Sequence, residues 1–309
     1  MTAERSVSGG EVRRLGAVWW RAVRPFSFTA SVTPVLVGSA IAFAGRHFDS
    51  GLFVITLVAT VAIHAATNLV NDYYDHLRGV DTAASVGPSG VIQHGLLPPR
   101  AVLMGALGLF SLGGLLGLLL VAVVGWPVLI IGIVSLLAGY AYTGGPLPLG
   151  YLGLGDFVVL VFMGPVIVLG SYYVQARTVV PAVLWVSVPI GALVTAILVV
   201  NNLRDLQGDR AHGKRTLATV LGPAGTRVEY LGLLVGAYTI VGIGVALRVL
   251  PLLAVLVVLT LPHAFRAWRV IREESDPLSL TRAGLRGTAG LHLRFGLLLS
   301  LAFLMTPPQ

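Results

Sequence analysis

The chain contains no cysteine. That removes disulfide frameworks, thiolate metal sites and a cysteine nucleophile, and it leaves the redox compartment unreadable. Charge is also scarce. Of 309 residues, 21 are Lys or Arg and 13 are Asp or Glu, so 11% are charged, where a soluble domain carries about 25%. The composition is 56% hydrophobic and the mean hydropathy is +0.87, which excludes disorder. A soluble fold would be left with almost no polar surface. His residues do not pair at zinc-site spacing, and the Gly-x-Gly patterns lack a strand–turn–helix setting, so zinc and dinucleotide readings find no support.

Long apolar runs are what the chain has instead. About 20 apolar residues cross a bilayer as a helix. Nine runs qualify, at roughly 26–45, 51–71, 101–124, 126–143, 155–174, 181–201, 229–247, 249–265 and 288–306. The expectation is an all-α, polytopic membrane bundle of nine transmembrane helices around a central cavity, forming one domain over 1–309. Eighteen of the 21 basic residues fall in the N-terminal segment, the connections 2–3 and 6–7, and the stretch from span 8 into span 9; Arg46, Arg177 and Arg248 lie on the other side. The positive-inside rule then predicts a cytoplasmic N-terminus and an outer C-terminus, in the cell's inner (plasma) membrane. It also accounts for the net charge of +8 without nucleic acid. Segment 1–25 reads as cytoplasmic, with Val12–Pro25 as an amphipathic interfacial helix. Segments 72–100 and 202–228 read as cytoplasmic loops. Gly105, Gly108, Gly113, Gly114 and Gly117 in span 3 predict close helix packing.

The acids carry the chemistry. Five of them fall in two clusters, each closing an apolar span: Asn68-Leu-Val-Asn71-Asp72-Tyr-Tyr-Asp75-His-Leu-Arg78-Gly-Val-Asp81, and Asn201-Asn202-Leu-Arg204-Asp205-Leu-Gln-Gly-Asp209. Asn68, Asp72 and Asp75 share a helix face, as do Asn201, Asp205 and Asp209. Both clusters read Asn-x-x-x-Asp, offset by 133 residues (68 to 201, 72 to 205), the mark of a duplicated four-helix unit. Carboxylates at a membrane boundary are costly unless paired, hydrated or metal-bound. Carboxylates and carboxamides form a hard-oxygen set suited to Mg²⁺ that also binds substrate phosphates. The nearby cations Arg78, Arg204, Lys214 and Arg215 suit the phosphate oxygens. Together they predict a metal–diphosphate ligand. A cation or anion transporter is the alternative from another class, but its ionisable groups belong near the bilayer midplane, whereas these sit at helix ends.

At these residues the chain resembles the UbiA superfamily of intramembrane prenyltransferases, and within it the branch acting on 1,4-dihydroxy-2-naphthoate. The matching pieces are Arg24-Pro-Phe-Ser-Phe-Thr-Ala-Ser-Val-Thr-Pro34, Asn71 to Thr82, Gly87-Pro-Ser-Gly-Val-Ile-Gln93, Tyr142-Thr-Gly-Gly-Pro-Leu-Pro148, Gly153-Leu-Gly-Asp156, Tyr173-Val-Gln175, and Asn201 through Leu217. They reach over about two thirds of the chain. Ser85, Gly90 and His94 depart from the cations common in that branch, which leaves another aromatic or lipid acceptor open.

The resemblance implies nine helices, a polyprenyl diphosphate donor, an aromatic acceptor, and Mg²⁺, with Mn²⁺ as the other candidate. It places Asn68, Asp72 and Asp75 on one ion and Asn201, Asp205 and Asp209 on another. Asp72, Asp75, Asp205 and Asp209 are the catalytic acids. Arg24, Asn71, Arg78, Asn202, Arg204, Lys214 and Arg215 are the substrate contacts. Tyr140, Tyr142, Tyr172 and Tyr173 are candidates to face an allylic cation. Asp156 is expected to cap the helix it opens, with a role toward the acceptor as the other reading. His64, alone in span 2, is expected to make an interhelical hydrogen bond. Prenyl chain length and oligomeric state are not legible.

Overall fold

The protein is described by a computed structural model covering residues 9–82 and 89–306. The expected Ser85 departure lies outside these residues. Helix α1 (Gly9–Val23) is amphipathic. Its inner face sets Trp19 and Ala22 against α3 (Ser50–Leu77) and α4 (Pro99–Val124). At Arg24 the backbone turns left-handed (φ 58°) into a 3-10 turn, Pro25–Phe28, and then into α2 (Thr29–Ala44). After α4 come α5 (Trp126–Ala141), and α6 (Gly155–Val161) joined through a π turn at Phe162–Val166 to α7 (Ile167–Ala176). The second half holds α8 (Pro181–Ala211), α9 (Leu217–Ala246), and a 3-10 stretch Leu252–Thr260 running into α10 (Leu261–Glu273). The short α11 (Pro277–Ser279) and a π turn lead into α12 (Arg286–Leu304). Among the described residues, eight helical rods are long and apolar enough to cross a membrane, and α5, with 16 residues, is a shorter apolar helix. The nine expected spans map one to one onto these rods.

Helix α8 is the hub. Val186, Ile190, Leu193, Val199 and Val200 are buried against α2, α9 and α12, including Val37, Tyr230, Leu291 and Phe295. Helices α4 and α5 instead present Leu115, Leu119, Ile130 and Leu137 outward, as expected of a lipid-facing wall. Burial of apolar surface does not drive helices together in lipid, so close approach at small residues matters. A Cβ on Gly164 would sit 2.5 Å from the Ser187 carbonyl, and one on Gly191 would sit 2.4 Å from the Leu160 carbonyl. These two glycines therefore set how tightly the α6–α7 rod crosses α8. Of the span-3 glycines, Gly105 packs on Trp19 and Gly113 on Ile63, while Gly108 and Gly117 meet nothing within 4 Å. Gly114 and Gly117 leave room for a cavity rather than for a helix.

The long expected loops are mostly helix. Segment 72–77 continues α3 and 202–211 continues α8, so both acidic motifs are helical and the connection between α8 and α9 is only 212–216. Polar side chains do not end a helix that lines a polar cavity; glycine does. Gly79 and Gly213 both take φ +69°. At each end a six-to-one bond closes the helix, from Val80 N–H to the Asp75 carbonyl and from Lys214 N–H to the Asp209 carbonyl. The two ends are matching Schellman caps.

These caps correct the repeat register. They equate Gly79 with Gly213 and Asp75 with Asp209, an offset of 134 (79 to 213, 75 to 209) rather than 133. Asn71 then corresponds to Asp205, and Asp72 has no acidic counterpart. By spacing Asp72 lies only about 40° round the helix from Asn68, so it is the pairing with Arg24 and Ser89 that holds it off the cavity.

Candidate active site

A single large cavity of about 1050 Å³ opens between α2, α3, α4, α5, the α6–α7 rod and α8. One end is polar: Asn68, Asn71, Asp75 and Asp81 from the first motif face Asn201, Asn202, Arg204, Asp205, Asp209 and Lys214 from the second. The rest is apolar, with Ile63, Leu118, Leu136, Val159, Phe162 and Met163 among its walls.

Asp75, Asp205 and Asp209 at the polar end are each met by a protein partner. The Tyr151 hydroxyl donates to Asp75 Oδ1 at 2.5 Å, and Lys214 Nζ lies 3.9 Å from Asp75 Oδ2 and 3.5 Å from Asp209 Oδ1. Lys214 thus joins the two motifs. Burial alone would lower its pKa; the charges of Asp75, Asp209 and Asp205 outweigh that and raise it. Arg204 grips Asp205 with two bonds, 2.8 and 2.6 Å. Arg78 donates to the Thr143 carbonyl at 2.5 Å and lies over the rings of Tyr74 and Tyr151, 5.2 and 4.6 Å from their centroids. The Thr143 hydroxyl donates to Asn71 Oδ1 at 2.5 Å. Asp81 is pushed up to about 6, by burial and then by the charge of Asp75, with Arg24 opposing.

The loop 142–154 closes over this end. Gly153 N–H donates to the Arg215 carbonyl at 2.7 Å, and Arg215 N–H to the Tyr151 carbonyl at 3.3 Å. Two strand-like backbone bonds therefore tie the turn carrying Tyr151 to the segment carrying Lys214.

Several expected site residues stand elsewhere. Asp72 is buried off the cavity: Arg24 pairs with its Oδ1 and the Ser89 hydroxyl donates to its Oδ2. Its oxygens are spent on protein partners, which does not suit the metal role the motif implied. Asn68 lines the cavity but donates its amide to the Val23 carbonyl and Ser27 Oγ. The Arg78 guanidinium stays behind the tyrosines, and the Arg215 side chain is exposed. Tyr140 shares a 2.6 Å hydrogen bond with Tyr74 outside the cavity, and Tyr172 is in the helix core. Tyr173 packs at the other end of its helix against the cluster of Leu120, Val128 and Val174. Of the four candidate tyrosines only Tyr142 lines the cavity. His64 bonds Ser31 Oγ across helices at 2.6 Å.

Asp156 does not cap its helix: the N-cap is Leu154, with no side-chain cap bond. Gly90 has φ +62°, and a Cβ there would lie 3.0 Å from His94 and 3.4 Å from Arg21. A side chain there would be strained by the backbone and would have to displace the ends of His94 and Arg21.

Tyr151, Ser89 and Asp81 are the contributors the sequence reading left out. Tyr151 and Ser89 lie in loops with no periodicity to signal them. Asp81 carried a signal, an acid just past the Gly79 cap, but sits off the Asn-x-x-x-Asp face.

A family model of the UbiA prenyltransferase family matches residues 31–283. The chain belongs to the UbiA prenyltransferase family. This UbiA protein is 36% identical over 294 residues to the 1,4-dihydroxy-2-naphthoate octaprenyltransferase of Bacillus subtilis, covering 94% of each chain. It is 40% identical over 219 residues to the protein of the same name from Mycobacterium tuberculosis, covering 71% of this chain and 74% of that one. Its fold matches that of a UbiA homolog from Archaeoglobus fulgidus bound to DMAPP and Mg²⁺, with a TM-score of 0.60 at 15% identity over 92% of this chain and 99% of that one. The UbiA protein is thus a multi-pass, all-α membrane prenyltransferase, and the transporter reading falls away.

Proposed function

We propose that this UbiA protein transfers a polyprenyl group from its diphosphate to 1,4-dihydroxy-2-naphthoate in a Mg²⁺-dependent reaction, releasing diphosphate and CO₂. The observation that carries the reading is one cavity with acids and cations interleaved at one end and apolar walls over the rest. A diphosphate headgroup fits the first part and an isoprenoid tail the second. The relatives from Bacillus subtilis and Mycobacterium tuberculosis, named for octaprenyl transfer to that acceptor, support the choice of acceptor.

The donor set fits Mg²⁺. Asp75, Asp81, Asp205 and Asp209 supply hard oxygens, and Asp209 Oδ2 is buried with no partner. Among the described residues no three His, Asp or Glu side chains form a ready cage. Mg²⁺ needs none, because it keeps waters and takes one or two carboxylates with substrate phosphates. Asp75 and Asp209, with Asp81 and Asp205, would hold it. Bound there, it neutralises charge that builds on the diphosphate as the allylic C–O bond breaks.

The chain's own groups do the rest. Lys214 sits between the motifs to meet the phosphate oxygens, and Arg204 joins it when Asp205 turns to the ligand. The apolar walls exclude water, which would otherwise capture the allylic cation. Tyr142 lies at the junction, its ring available for a cation–π contact. Arg24 carries a buried, unpartnered Nε on the cavity wall, a donor for the acceptor's carboxylate. In the bilayer, the polar end belongs on the cytoplasmic side of the inner membrane with the N-terminus, where Mg²⁺ and acceptor are supplied. The whole chain acts as one domain.

The test is pyrophosphate release by purified protein in detergent, with geranylgeranyl diphosphate and a panel of aromatic acceptors, with and without EDTA. Release that needs both Mg²⁺ and 1,4-dihydroxy-2-naphthoate is the expected result. Release with another acceptor alone moves the protein to a different branch.

A further inference from the structure

Asp156 is an acid on the cavity wall that the diphosphate end does not use. It is 7% exposed, and neither carboxylate oxygen has a hydrogen-bond partner. Among the described residues no Lys or Arg pairs with it. A buried carboxylate in that condition costs several kcal/mol unless something meets it. It stands in the first turn of its helix without capping it, so the helix end favours its charge but leaves its oxygens without a side-chain partner. Asp156 lines the cavity, with both oxygens buried at its wall, so a ligand seated there is the partner that can meet them.

The surroundings indicate which ligand. The Tyr142 hydroxyl stands beside this turn: a Cβ on Gly155 would be 3.1 Å from it. Burial, then the charge of Asp156, pushes the Tyr142 pKa above its ordinary value, so Tyr142 stays a neutral donor. From α9, Glu229 is the other titratable group facing Asp156. No cation is available here, which argues against a phosphate or carboxylate as the partner. A neutral donor such as a hydroxyl fits.

We propose that Asp156 is the acceptor-side base: its carboxylate accepts a hydrogen bond from a phenolic hydroxyl of the aromatic substrate and takes that proton as the ring attacks. This rests on the reading of the cavity as an aromatic prenyltransferase site. The steps balance without another reactant. The O–H pair moves into the ring, a ring carbon bonds to carbon 1 of the prenyl group, and the C–O bond to diphosphate breaks with its electrons leaving on diphosphate. Loss of CO₂ returns the C–C pair to the ring, and the Asp156 carboxylic acid gives its proton back to the oxygen. An acceptor carboxylate is then oriented away from Asp156 and toward Arg24.

The experiment uses the full-length protein in detergent and has two readouts. In the first, Asp156→Asn is assayed across pH. General-base catalysis contributes roughly 10²–10⁴, so kcat should fall by about 100-fold or more and lose its low-pH limb, while the KM for geranylgeranyl diphosphate stays within about twofold. A kcat within about threefold of the parent with the same pH profile overturns the proposal. So does a loss that tracks donor KM, which would place Asp156 at the diphosphate end.

The second readout is binding without turnover. Titration with 1,4-dihydroxy-2-naphthoate and its 1,4-dimethoxy ether should show a preference for the hydroxyl form of about tenfold, the worth of one hydrogen bond to a charged group. Asp156→Ala should abolish that preference while the melting temperature stays at or above the parent's. Equal preference in parent and variant overturns the proposal. If the parent protein instead turns over a different phenol, the naphthoate reading fails alone, and the same comparison with that phenol and its methyl ether decides for or against Asp156.

Discussion

Asp72 and Asp75 lie three positions apart and do different work. Asp75 faces the cavity between the Tyr151 hydroxyl and Lys214, whereas Asp72 is buried against Arg24 and Ser89. Asp75→Ala and Asp205→Ala should each cut turnover by about 100-fold or more, the scale of losing transition-state charge stabilisation, and excess Mg²⁺ should not restore it. Asp72→Ala leaves the Arg24 charge buried and unpaired, a loss of about 3–5 kcal/mol for a broken buried pair. It should lower the melting temperature sharply while the Mg²⁺ concentration needed for half-maximal activity stays near the parent's. A shifted Mg²⁺ requirement in Asp72→Ala would make it a ligand after all. Tyr151→Phe removes one charge-assisted hydrogen bond to Asp75, worth about 1.5–3 kcal/mol. It should weaken donor and Mg²⁺ together by about tenfold, as measured by steady-state kinetics.

At the scale of elements, the site depends on how the α6–α7 rod crosses α8. The first carries Asp156 and the second carries Arg204, Asp205 and Asp209. Gly164 and Gly191 bring the two backbones together, and both contacts are with main-chain atoms that cannot rotate away. Gly164→Ala should therefore force the rods apart, costing about 1–3 kcal/mol as overpacking does. Thermal unfolding in detergent would show the loss, and turnover should fall with it although no catalytic group changes. Gly108→Ala, with nothing within 4 Å of its Cβ, is the matched control and should leave both unchanged.

For the whole molecule, the concentration of acids at one end of the cavity makes stability depend on pH. Asp81 is raised from 3.8 to about 6, chiefly by burial. The folded chain then holds a proton that the unfolded chain has lost between those two values. Stability from this group is greatest below the lower value and declines as pH rises through the higher one. In EDTA the melting temperature should drop from about pH 4 to about pH 6.5, and Asp81→Asn should flatten the drop. Mg²⁺ competes with that proton, so the Mg²⁺ requirement for turnover should rise as pH falls below about 6. A requirement independent of pH would remove Asp81 from the metal-binding set.

Composition and periodicity were sufficient for the membrane class, the nine rods and the two motifs. Apolar runs and helix-end acids are local properties, and lipid forces their backbone bonds to close within each helix. That both motifs lie at the same end of the bundle could also be read, because each closes an even-numbered span. The face each acid takes could not. Asn-x-x-x-Asp repeats at 133, yet the glycine caps set the helices in register at 134, and Asp72, on the Asn68 face by spacing, is taken by Arg24 instead. The partners that settle each role are likewise remote in sequence: Arg24 to Asp72 spans 48 residues and Tyr151 to Asp75 spans 76. Asp156 shows the same limit. Its position before a helix predicts a cap, and only the packed structure buries its oxygens without a partner beside the cavity. Local chemistry thus determined which residues could act. The tertiary structure decided which of them face the substrate, because burial and pairing are set by helices that meet only in the folded bundle.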